Sequence, residues 1–161
     1  MKPLTKLLIV GNLLAMLIYV AYSVQKSERL LDEGKLVLLR LAPADPRSLL
    51  QGDYMRLDYA ITREVDRATD PKRGFLIVSV DGDGLGRLER VQQHNVPLAA
   101  REFPIRYLKK DWSVDIGADS YFFQEGRAED YGAARYGGLV LDKAGNSLLQ
   151  GLYSEDFVRI E

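Results

Sequence analysis

Leu7 to Gln25 reads LLIVGNLLAMLIYVAYSVQ, 19 residues without a single charge. As a helix this run rises about 28 Å at about 1.5 Å per residue, close to the hydrocarbon thickness of a bilayer. Location is therefore constrained before any fold is considered. Tyr19 and Tyr22 lie near the far end, where amphipathic rings favour a membrane interface. Asn12, beside Gly11, is a lone polar intruder, either tolerated or part of a helix–helix contact. The run exceeds the roughly 7–15 apolar residues of a cleavable signal peptide, so residues 1–25 are expected to persist as a signal anchor. Cleavage after Ser23, with Ala21 and Ser23 as the small residues before the cut, is the competing reading. Lys2 and Lys6 precede the span and predict a cytoplasmic N-terminus. Lys26 and Arg29 follow it and weigh the other way. The expected arrangement is a single pass of the inner membrane through residues 7–25, with the rest of the chain on the periplasmic side.

Composition excludes several chemistries. The chain has no cysteine, so disulfides, thiolate metal sites and a cysteine nucleophile are out. Its one histidine, His94, sits in the polar stretch VQQHNVP and reads as a loop residue. No metal or other cofactor is expected. From Lys26 onward the chain carries 20 basic and 23 acidic residues, a net charge of −3. Such a balance suits neither nucleic acid nor, over the whole domain, an anionic lipid surface.

Beyond a juxtamembrane linker over 26–34, residues 35–161 read as one β domain. KLVLLRLAP is a short apolar strand ended by proline. In YMRLDYAITREV, Met55, Leu57, Tyr59 and Ile61 alternate with Tyr54, Arg56, Asp58 and Ala60, which predicts a strand over Tyr54–Ile61 buried through the first set. GFLIVSV and LGRLERV flank DGDG and predict a hairpin. FPIRYLKKDWSVDI predicts another, turning at Lys109–Asp111, with Trp112, Val114 and Ile116 on one face. SYFFQEG is a further strand and RAEDYGAAR a short helix, with Ala128, Tyr131 and Arg135 at helical spacing. YGGLVLDKAGNSLLQGLY predicts a last hairpin. Asp66–Arg73 has the least pattern. The sum is a mainly β domain, a small barrel or sandwich of about eight short strands with one short helix.

Catalytic signals are weak. DGDG at Asp81–Gly84 starts like a calcium loop, but loop position 12 would be Gln92, which supplies no carboxylate. Glu125, among three aromatics in YFFQEG, is a candidate acid or base through desolvation. SLLQGDYMRL looks like the end of the serine motif of type I signal peptidases. The nucleophile of that motif would fall at Ala44, so Ser48 is left as a loop-shaping residue.

Gly52, Asp53, Tyr54, Leu57 and Tyr59 in GDYMRLDY resemble the signature of the GDYXXLXY family of membrane-anchored bacterial proteins. DPRSLLQ before it and YFFQEGRAEDYGAARYG after it are similar to that family too, so the likeness covers nearly the whole chain. The resemblance implies an anchored extracytoplasmic domain beside a polytopic membrane protein; it implies no chemistry. Three readings follow. The first is an accessory domain presenting Tyr54, Arg56, Tyr59, Glu125, Tyr131 and Tyr136, with Leu57, Phe123 and Gly126 completing the motif residues. The second is a periplasmic module binding a small ligand or glycan on aromatic platforms. The third is a hydrolase using Asp53 or Glu125. Oligomeric state has no signature in the sequence.

Overall fold

A computed structural model describes residues 3–42, 54–124, 127 and 130–160, without the side chains of Pro3 and Tyr54. Among the described residues one α-helix, α1, runs Pro3–Glu33. Its apolar side chains from Leu4 to Val24 are all exposed, so it is long and apolar enough to cross a membrane. The helix does not stop where the apolar run stops. Residues 26–33, all but the last of the expected 26–34 linker, continue it as helix without a break. Lysine, glutamate, arginine and leucine are good helix formers whether or not lipid surrounds them. Gly34 closes the last turn by donating its amide to the Leu30 carbonyl at 2.9 Å, and β1 (Lys35–Arg40) begins at once.

Among the described residues ten strands follow, all in antiparallel sheets, which makes the domain mainly β as expected. One sheet has the order β1–β8–β9–β10, built on β1, β8 (Tyr136–Leu141), β9 (Ser147–Tyr153) and β10 (Arg159–Ile160). A second has the order β4–β3–β5–β6, from β3 (Arg73–Val80), β4 (Gly86–Gln92), β5 (Glu102–Lys109) and β6 (Val114–Asp115). A two-stranded ribbon joins β2 (Tyr54–Arg56) to β7 (Ser120–Phe122). The sheets share one core: Val37, Leu39 and Leu139 from the first pack with Leu76, Val78 and Ile105 from the second. A parallel bridge between Leu38 and Leu85 fastens β1 to the β3–β4 turn, giving a sandwich partly closed along one side. Leu38, Tyr136 and Tyr153 form a smaller cluster on the opposite face of the first sheet.

The predicted hairpins form. In DGDG the Asp81 carboxylate accepts the amides of Asp83 and Leu85 at 3.0 and 2.9 Å, and Gly84 takes φ +82°. This is hairpin-turn chemistry rather than a cation loop. His94 lies exposed in the β4–β5 loop, as expected. Arg90 of β4 ties that loop down, donating to Glu102 at 2.7 and 2.8 Å and to the Pro97 carbonyl at 3.0 Å. The Arg90 bonds, followed by that of the Ala99 amide at 2.9 Å, hold the Glu102 carboxyl at about 2, well below its usual range.

Three expectations need correction. The strand predicted over Tyr54–Ile61 is only three residues long. The chain then leaves the ladder and enters a 3-10 helix over Ala60–Glu64. Burial still alternates as predicted, with Met55, Leu57, Tyr59 and Ile61 inside and Arg56 and Asp58 outside, because the chain stays extended past β2, where Tyr59 bridges Leu41 and the Ala42 amide donates to the Asp58 carbonyl at 2.7 Å. Trp112 does not share the inner face of Ile116: it is 90% exposed, at the tip of the β5–β6 turn. The Arg67 guanidinium holds that tip through the carbonyls of Asp111 and Trp112 at 2.9 and 2.7 Å. The helix in RAEDYGAAR is one 3-10 turn, Asp130–Ala133. Asp66–Arg73 is built around local bonds: Asp66 accepts the Ala68 amide at 2.8 Å and the Thr69 hydroxyl at 2.7 Å, and the Lys109 ammonium donates to carbonyls of Arg67 and Asp70.

Candidate functional site

The signature residues separate into those that build the domain and those outside the described set. Gly52, Asp53, Glu125 and Gly126 belong to the latter, as do Ala44 and Ser48. Tyr54 pairs with Phe122 through the backbone of the ribbon. Leu57 and Tyr59 are buried, with 5% and 1% of their surface exposed. Leu57 donates its amide to the Asp119 carbonyl at 2.8 Å. Tyr59 donates its hydroxyl to the Ala118 carbonyl at 2.9 Å. Its ring lies over Gly137 of β8, where a Cβ would fall 2.8 Å from the ring. Burial, then the nearby Asp119 charge, pushes the Tyr59 phenol far above its ordinary value. It remains a neutral donor at any physiological pH. The second tyrosine of the signature therefore fastens the segment between β6 and β7 to the core.

That segment carries a feature the sequence reading missed. Gly117, at φ +76°, reverses the chain so that Asp115 and Asp119 meet. Their carboxyl groups hydrogen-bond each other. Asp115 also accepts the Lys110 ammonium at 2.5 Å and the Gly117 amide at 2.7 Å, which holds its pKa low. Asp119 is half-buried, and burial together with the bond and charge of Asp115 pushes it up to about 6. Below about pH 6 the pair thus holds one proton, on Asp119 as the O–H donor beside the ionised Asp115. Exposed Arg56 of β2 lies close enough to disfavour the Lys110 charge. Two open concavities flank the pair. One, about 510 Å³, is bordered by Asp119, Ser120 and Tyr121. The other, about 430 Å³, is bordered by Arg73, Arg106 and Ser147.

The aromatic candidates fall into two groups. Tyr131 is buried, with its ring centroid 5.2 Å from those of both Tyr121 and Phe123. Tyr136 is buried on the far face of the first sheet, against Phe157 at 5.2 Å. Tyr59, Tyr131 and Tyr136 therefore pack the fold, and Arg56 is the described member of the candidate set that is exposed.

The raised pKa of Asp119 gives folding a pH dependence. Free aspartate titrates near 3.8, so between about pH 4 and 6 the folded chain holds a proton that the unfolded chain releases. Asp119 thus favours folding fully below pH 4, and that contribution is lost as pH rises through about 6. Asp119→Asn removes the titration while its amide still donates to Asp115. Urea titrations are expected to show the variant gaining about 1 kcal/mol on the parent between pH 4.5 and 7.5, after allowance for solvent screening. A difference constant across that range contradicts the shared proton.

One helix long and apolar enough to span a bilayer thus runs straight into a mainly β domain of antiparallel sheets. The profile described as GDYXXLXY protein matches residues 16–152, most of the chain and all of the signature. The chain belongs to the GDYXXLXY family. No curated protein matches it, and no solved structure does.

Proposed function

We propose that this is a single-pass protein of the cytoplasmic membrane whose β domain lies on the extracytoplasmic side. In this reading the domain is a non-enzymatic accessory to a polytopic membrane protein. The observation that carries the reading is the unbroken passage from α1 into β1 at Gly34. A soluble binding module needs only a flexible tether, whereas a helix continuous with the sheet fixes the domain relative to the span. Fixed placement is useful when the partner is itself fixed in the same bilayer. The exposed apolar sides of α1 also leave a surface for helix–helix association around Gly11 and Asn12. The glycan-platform reading has less support: each of the described concavities carries a single tyrosine, and Tyr59 and Tyr107 fill the interior.

Affinity capture of the tagged full-length chain from membranes in mild detergent is expected to enrich one multi-spanning protein. That enrichment is expected to fall when α1 is replaced by an unrelated apolar span. Reproducible capture of no membrane protein counts against the accessory role. Protease accessibility of the β domain in right-side-out vesicles checks its side: protection would overturn the orientation.

A further inference from the structure

Where α1 leaves the apolar run, it walls one side of a groove of about 550 Å³. Tyr22, Lys26, Arg29 and Glu33 succeed one another at spacings of three and four and so share one face of the helix. They face Lys35 at the start of β1, Phe103 at the start of β5 and the β8–β9 turn with Lys143. Four cations thus meet two acids. One of the acids, Asp142, is already occupied, accepting the amides of Ala144 and Asn146 at 2.9 and 2.8 Å. Lys143 is clamped over the Phe103 ring at 3.9 Å and donates to the Glu102 carbonyl at 2.6 Å, so its charge is fixed in the wall. No ion pair among the described residues reaches Lys26, Arg29 or Lys35. The domain as a whole is acidic, yet this groove is cationic.

We propose that the groove binds the phosphate headgroup of an anionic phospholipid. Two observations select lipid over a soluble anion. The groove lies at the end of the apolar span, where headgroups sit if α1 crosses the bilayer. Its lining is also mixed, with Tyr22, Leu30 and Phe103 offering apolar surface beside the cations, as a glycerol backbone and the first acyl carbons require. Arg29 and Lys26 contact the phosphate, Lys35 and Lys143 set the positive field behind it, and Tyr22 packs on the glycerol. The site rests on the helix being in a membrane and is independent of any protein partner, so failure of affinity capture leaves it standing.

The test uses the full-length chain in nanodiscs of phosphatidylcholine with or without phosphatidylglycerol. Lipids retained on the released protein are counted by native mass spectrometry. The parent is expected to retain phosphatidylglycerol in preference to phosphatidylcholine, and Lys26→Gln with Arg29→Gln to lower that preference about fivefold or more. Lys72→Gln, an exposed cation outside the groove, is expected to leave the preference unchanged. Equal retention of the two lipids, an unaffected double variant, or an equal loss with Lys72→Gln overturns the proposal. Competition by millimolar inorganic phosphate against retained lipid would reassign the groove to a soluble anion and overturn it likewise.

Discussion

Tyr59→Ala is expected to destabilise the β domain by about 3–5 kcal/mol, the range for truncating a fully buried aromatic side chain. Tyr59 is 1% exposed and is among the largest fully buried side chains of the core. The substitution removes its packing on Gly137 and its bond to the Ala118 carbonyl together. Tyr59→Phe separates the two. It keeps the ring and leaves the carbonyl without its donor, for an expected loss of about 1–3 kcal/mol. Urea unfolding of the full-length chain in detergent measures both. The alanine variant also releases the segment bearing Asp115 and Asp119, so its stability is expected to lose the pH dependence assigned to Asp119. A loss below about 1 kcal/mol for Tyr59→Ala contradicts the anchoring role.

Gly34→Ala is the second substitution with a large expected effect. A Cβ there would stand 2.3 Å from the Leu30 carbonyl oxygen and 2.3 Å from Cγ1 of Val140. One contact is helix backbone and the other belongs to β8, so neither yields without moving the joint. Overpacking of this kind costs about 1–3 kcal/mol. The strain falls on the junction rather than on the core, so the helix is expected to lift from the β8–β9 turn before the sandwich melts. Spin labels at Ser27 and Ala144, both exposed, report this as a broadened distance distribution. A distribution as narrow as the parent's, with an unchanged unfolding midpoint, contradicts the close-packed joint.

The apolar helix and the hairpins were legible because their signals are local. An uncharged run, alternation by two and Asp-Gly turns each act within a few residues. The inward set Met55, Leu57, Tyr59 and Ile61 was legible for the same reason. The length of β2 was not, because pairing depends on β7, more than sixty residues away. Trp112 misled because apolarity alone does not distinguish a core position from a turn tip held by Arg67. The reach of α1 to Glu33 was hidden by reading polar composition as a linker, although the same residues propagate a helix well. The carboxyl pair was legible only in outline. DIGAD offers two acids four residues apart about a glycine, and the positive φ of Gly117 brings them together.

The eight helical residues from Lys26 to Glu33 carry the chain about 12 Å along the axis before the sheet begins. With the span in a bilayer, that distance sets a ceiling. The domain moves by lateral diffusion and by spinning about its own stalk, and it has little freedom to tip or extend. If the proposed partner shares that bilayer, the search for it would be two-dimensional, within a thin layer above the headgroups. Membrane confinement would give even a weak contact a high effective concentration, so a modest and mostly polar docking surface would suffice.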